Sequence, residues 1–112
     1  MRRVLFTGSR DWYDENEVRA VIDALPPDTV VIHGACESGL DAIVDRLARA
    51  RGLVVDPYEA NWKVGKWAGP MRNQRMIDQG MPTDAHAFPL GGSGTNDCIA
   101  RLRIAGIPVV VH

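Results

Sequence analysis

Three glycines stand within four positions in the run Pro89-Leu90-Gly91-Gly92-Ser93-Gly94-Thr95. A short apolar stretch, 84–88, enters this run and reads as the end of a strand. A helix-like stretch, 96–105, leaves it. Glycine has no Cβ, so such a turn bends tightly and lets a bound group approach the backbone. The helix start behind it carries unpaired N–H groups and the positive end of a dipole, which together attract an anion, phosphate above all. Gly91, Gly92, Ser93, Gly94 and Thr95 are therefore candidate phosphate ligands. Asp97, in the first helical turn, is suited either to complementing the dipole or to chemistry on a ribose.

Three further segments carry comparable chemistry. Thr7-Gly8-Ser9-Arg10-Asp11 offers a permissive backbone, two hydroxyls and a guanidinium able to grip phosphate or carboxylate in bidentate fashion. Arg10 is equally suited to pairing with Asp11 or Asp14, and either aspartate to capping the next helix. His33-Gly34-Ala35-Cys36-Glu37-Ser38-Gly39-Leu40-Asp41 sets Gly34 and Gly39 around a polar turn before another helix start. There Ser38 is a candidate cap, and Asp41 either complements the dipole or accepts ribose hydroxyls. His33 suits a structural role better than proton donation. Asn61 to Asn73 holds two tryptophans, two lysines and an arginine. Lys66, Arg72 and Asn73 are candidate ligand contacts, and Trp62 is expected to anchor the loop against the body. Arg75 shares a helix face with Arg72. Cys98 is expected in the core.

The elements that would position these groups alternate. Apolar runs at 2–6, 29–33, 53–55, 84–88 and 107–111 read as buried strands. Helical periodicity appears at 16–25, 40–50, 72–80 and 96–105. This order predicts an α/β fold: a Rossmann-like, doubly wound three-layer sandwich with a mainly parallel five-stranded sheet. In such sheets ligands bind beyond the carboxyl ends of the strands. Segments 7–11, 34–41, 56–72 and 89–97 all fall at that edge.

Composition bounds the rest. The 112 residues fit a single domain, 1–112, with 46% apolar content and a formal charge of −1. That charge supplies no broad basic field for nucleic acid. No run approaches a membrane span or a signal-peptide core, and two cysteines make neither a disulfide framework nor a zinc site. The expectation is a cytoplasmic protein with reduced thiols, without metal or cofactor, and a homodimer on grounds of size.

Taken together, Thr7 to Trp12, His33 to Cys36 with Gly39 and Asp41, Trp62 with Gly65-Lys66, Ala68 to Asn73, and Phe88-Pro89 with Gly91 to Thr95 resemble the YspA-like, cpYpsA-related branch of the SLOG superfamily. That superfamily includes the Smf/DprA proteins and the Lonely Guy phosphoribohydrolases. The resemblance spans essentially the whole chain and implies a nucleotide-binding Rossmann-like domain that forms homodimers. Lonely Guy enzymes cleave the N-glycosidic bond of nucleoside monophosphates with an arginine and a Pro-Gly-Gly-x-Gly-Thr turn followed by glutamates. Arg72 or Arg75 matches the arginine. Asp97 falls where the first glutamate belongs and Cys98 where the second does; Leu90 interrupts the turn. Within the branch, Ala35 stands where glycine is usual and Leu40 where alanine is usual.

Three functions follow from this resemblance. The first is a sensor or carrier of an adenine- or NAD-derived nucleotide such as ADP-ribose, with Asp41 or Asp97 on the ribose. The second is a phosphoribohydrolase with Asp97 and Arg72 as catalytic residues. The third is a single-strand DNA-binding module in the DprA style, disfavoured by the near-neutral charge.

Overall fold

The computed structural model describes residues 1–112. Five strands form one sheet: β1 (Arg3–Gly8), β2 (Val30–His33), β3 (Val54–Pro57), β4 (Asp84–Phe88) and β5 (Val109–Val111). Four helices connect them: α1 (Glu15–Asp23), α2 (Gly39–Ala50), α3 (Ala68–Asp78) and α4 (Ser93–Ile104). A 3₁₀ helix, Trp62–Trp67, precedes α3. The strand order is β3-β2-β1-β4-β5 and every pairing is parallel. β1 is therefore central, with Leu5 opposite Ile32 on one side and Ala85 on the other. The chain reverses its direction of winding between β1 and β4, which is the switch point of the sheet.

Alternation along β1 divides the core into two. Val4 and Phe6 turn to one face, where Val18 and Ile22 of α1 and Leu40, Val44 and Leu47 of α2 cover them. Leu5 turns to the other, against Met76 and Ile77 of α3 and Cys98 and Leu102 of α4. Apolar side chains on both faces explain why the strands read as unbroken apolar runs rather than as alternating ones.

Several boundaries depart from those expected. β3 starts at Val54, not 53, and β5 at Val109, not 107. In both places the preceding helix claims the residues. Gly52 and Gly106 adopt φ of 77° and 76°. Leu53 then donates to the carbonyl of Ala48, and Ile107 to that of Leu102, closing paired C-terminal caps of Schellman type. α3 begins at Ala68 and not at 72, because Gly69 and Pro70 sit in its first turn, where proline's missing N–H is no loss. α4 begins at Ser93 and not at 96, directly from the extended backbone of Gly92. No helix is long and apolar enough to cross a membrane.

Candidate functional site

The carboxyl ends of β1, β2 and β4 open onto a cavity of about 400 Å³. All four predicted segments reach it. The first supplies Thr7, Gly8, Ser9 and Arg10; the second Gly34, Cys36 and Asp41; the third Trp62, Lys66, Arg72 and Asn73; the fourth Gly92, Ser93, Gly94 and Thr95. A second lobe of about 490 Å³ adjoins it and shares Arg10, Gly34, Cys36, Trp62 and Arg72. Three of the singled-out residues, Gly39, Gly91 and Asp97, line neither lobe.

The glycine-rich turn and the start of α4 form one wall. Gly92 caps the helix without a side chain, so the amides of Ser93, Gly94 and Thr95 keep no side-chain acceptor. Gly91 needs to be glycine for its φ of 86°. Nothing in the chain approaches within 4 Å of a Cβ built on Gly92 or Gly94. Crowding within the protein therefore does not demand glycine at these two positions.

Arg72 forms the floor. It is 8% exposed, although the sequence places it at a helix start with a polar role in view. Its Nη1 donates to the Gly34 carbonyl and its Nε to Asn73 Oδ1 at 3.0 Å. Nη2 has no partner in the chain and is not sealed from solvent. Gly34 makes this seat possible: a Cβ there would lie 2.6 Å from Arg72 Nη1 and 3.0 Å from Asp41 Oδ2. Asn73 in turn donates to the Gly94 carbonyl at 3.2 Å and to Asp97 Oδ2 at 3.0 Å. α3 thus ties the second loop to the glycine-rich turn.

Asp41 is 7% exposed and accepts from the Cys36 amide at 3.3 Å. Burial pushes its carboxyl above the ordinary carboxylate range; the hydrogen bond from the Cys36 amide and the charge on Arg72 pull against that shift. Burial and the neighbouring Asp41 also raise the Cys36 thiol. A raised thiol keeps less of the nucleophilic thiolate. Cys98 is buried in the core as expected, and burial pushes its thiol up to about 11.

Asp97 is engaged elsewhere. Its Oδ2 accepts from Arg101 Nε at 2.8 Å as well as from Asn73, and these bonds hold its carboxyl below the ordinary range against the opposing effect of burial. Arg101 also donates to Gln74 at 3.0 Å. Arg75 lies outside the cavity and donates to the Glu59 carbonyl.

The remaining expectations divide. His33 is structural: its Nδ1 accepts from the Ala35 amide and its Nε2 donates to Asp45 Oδ1, both at 2.9 Å. Asp14 caps α1, accepting from Glu17. Ser38 makes no capping bond at α2. Gly39 serves the backbone, since a Cβ there would lie within 2.4 Å of the Ser9 and Arg10 carbonyl oxygens. Arg10 pairs with neither aspartate. Its guanidinium lies 4.8 Å from the centre of the Trp62 ring. Trp62 is 56% exposed at the cavity mouth and is not packed into the body. Phe6, Gly69 and Pro70 are cavity residues that the sequence did not single out as ligand contacts. Their position at the ends of strands or in the long third segment was the available signal.

This arrangement is a polar cleft at the switch point of a parallel sheet, with helix-start amides and a guanidinium converging on it. The family model of the YspA, cpYpsA-related SLOG family matches residues 2–65. The chain belongs to that family. The match ends at Gly65, so it includes the Thr7–Arg10 and Gly34–Asp41 walls of the cleft and stops before Arg72 and the glycine-rich turn. The chain is also 45% identical over 121 aligned positions to the Gene 61 protein of Mycobacterium phage D29, covering 98% of this chain and 95% of that one. SLOG membership and the all-parallel sheet together make this a nucleotide-related Rossmann-like domain.

Proposed function

We propose that the protein binds an adenine- or NAD-derived nucleotide by its phosphate and holds it without cleaving it, as a sensor or carrier. The observation that carries this reading is the open start of α4. Amides of Ser93, Gly94 and Thr95 lie behind a glycine turn, beside the free Nη2 of Arg72, on one cavity. An anion placed there gains the helix dipole and charge-assisted hydrogen bonds at once. Gly8, Ser9, Arg10 and Lys66 border the same space, and Asp41, which also lines it, would accept from a ribose hydroxyl.

The hydrolase alternative asks Asp97 to act on the ribose. That carboxylate is held by Arg101 and Asn73 and lies outside the cavity lining, which supports binding over cleavage. A thermal-shift panel of AMP, isopentenyl-adenosine monophosphate, NAD and a single-stranded oligonucleotide, followed by chromatography for released base, tests both. A ligand at ~100 times its Kd adds ~2.7 kcal/mol of stability. A shift with a nucleotide and no free base is expected. Base release with a mononucleotide would overturn the reading in favour of the hydrolase, and a shift with the oligonucleotide alone would replace it with single-strand binding.

A further inference from the structure

A pair of histidines stands outside the cleft and touches it through one residue. His86 of β4 and His112, which follows β5, meet through His86 Nδ1 and His112 Nε2 at 2.9 Å. Each ring lies against a phenylalanine: Phe6 stands 5.6 Å from His86, and Phe88 lies 4.3 Å from His112 at an interplanar angle of 3°. The His112 amide donates to the Ala87 carbonyl at 2.8 Å, continuing the pairing of β5 with β4. Phe88 is the residue that reaches the cleft. Its carbonyl accepts from the Ser9 amide at 3.1 Å, its ring meets Trp12 edge to face at 5.2 Å, and Pro89 behind it begins the glycine-rich turn.

The two facing nitrogens share one hydrogen, so one ring donates and the other accepts. One added proton is accommodated. On His112 Nδ1 it faces Glu17 Oε1 of α1 at 3.6 Å and leaves Nε2–H donating to His86. A second proton has only His86 Nδ1 left to occupy, and that sets a donor against a donor. The charged groups that bear on His86 are His112, Arg2 and Asp84, and Arg2 is paired with Asp84 at 2.8 Å. From α1 and the turn after it His86 meets only Ala20, Val21, Ala24 and Leu25, and from β1 the Phe6 ring, none of which offsets a charge. Burial, the His112 ring and Arg2 hold His86 below its ordinary range against the pull of Asp84. We propose that the pair is an acid-opened latch: a second proton drives the rings apart, His112 leaves the face of Phe88, and the end of β4 that supports Ser9 and the glycine-rich turn loosens. A free imidazole titrates near pH 6.5, so the open form, which binds the extra proton, gains on the closed one as pH falls below ~6.5.

Amide hydrogen exchange of the whole chain at about pH 7.5 and about pH 5.5, corrected for intrinsic rates, tests it. Protection of the His112 and Ser9 amides is expected to fall at the lower pH by up to about tenfold, while amides of β2 and α2 keep theirs. His86→Gln puts in place a side chain that donates or accepts toward His112 and takes up no proton, so its two profiles are expected to coincide. Histidine-ring NMR of the parent gives a second reading that needs no variant: the loss of protection is expected to follow protonation of His86, the last of the pair to take a proton. Equal loss across the whole sheet would make the effect global unfolding and overturn the latch. Unchanged protection at the two amides, a loss that persists in H86Q, or a loss complete before His86 is protonated overturns it as well and leaves the pair as packing.

Discussion

Gly94→Ala separates a structural from a functional explanation of the glycine-rich turn. Gly94 lies in the first turn of α4 with a φ outside the left-handed region, and its Cβ would meet nothing in the chain. Alanine is the better helix former by up to ~1 kcal/mol, so the unliganded protein should gain stability. For a domain of this size that raises Tm by up to roughly 4 °C. The Asn73 contact uses the Gly94 carbonyl and survives the change. The ligand side moves the other way, because the new methyl occupies space beside the amides that would hold phosphate. Take a nucleotide at ~100 times its Kd, which stabilises the parent by ~2.7 kcal/mol; a tenfold loss of affinity cuts that to ~1.4 kcal/mol. Differential scanning fluorimetry with and without nucleotide reads both terms. A higher unliganded Tm with a ligand-induced shift about half the parent's is expected. An undiminished shift would refute the reasoning and put the phosphate elsewhere.

Gly34→Ala should do the reverse, driving a Cβ into the seat of Arg72. Overpacking of ~1–3 kcal/mol plus a strained charge-assisted bond should lower the denaturant midpoint clearly, and an unchanged midpoint would deny that Arg72 is seated on the Gly34 carbonyl. Asp97→Asn breaks a partly exposed pair with Arg101, so equilibrium unfolding should show a cost of at most ~1 kcal/mol and titration a nucleotide Kd within about twofold of the parent's. A large loss of affinity would return Asp97 to the site. Ala35→Gly relieves a φ of 56° at a non-glycine residue, and the gain of ~1–2 kcal/mol outweighs the extra unfolded-state entropy of glycine, so a modest rise in Tm is expected in thermal melts. His86 titrates low, through burial and the His112 ring nitrogen 2.9 Å away. Its unfolded form takes up a proton near pH 6.5 while the folded form resists, so stability should fall as pH drops below ~6.5. The depressed carboxylates Asp45, Asp84 and Asp97 lose their contributions only at more acidic pH. His86→Phe should flatten the melting profile between pH 6.5 and 5.5, and a profile still sloping as the parent's would assign the effect to other groups.

The strand at 84–88 was legible to the residue, and so was the placement of four polar segments along one edge, because apolar runs and glycine turns are local signals. What failed was local in appearance but tertiary in cause. Gly69-Pro70 looks like a helix breaker, yet both fit the first turn of α3. Leu53 and Ile107 look like strand residues until the caps that consume them are seen. The burial of Arg72 had no sequence signature, since an arginine pays for desolvation only where a carbonyl such as that of Gly34 waits for it. The Asp97–Arg101 pair was readable from its spacing of four, a helical neighbour relation that competes with any catalytic role. Trp62 was expected to pack inward because aromatic surface usually does; Arg10 gives it a partner at the surface instead.

The placement of β1 beside β4 has a consequence for how the molecule opens. Residues before Pro57 build one side of the cleft together with α1 and α2, and residues after it build the other with α3 and α4. The seam between these halves of the chain passes through the cavity itself, where Arg72 of the later half reaches Gly34 of the earlier one. A molecule lodged there acts as a rivet. Neither half can fray without releasing it, so amide exchange should slow on both faces of the sheet together and not only in the loops that touch it. Two fragments divided after Pro57 would find in the same molecule the agent that joins them.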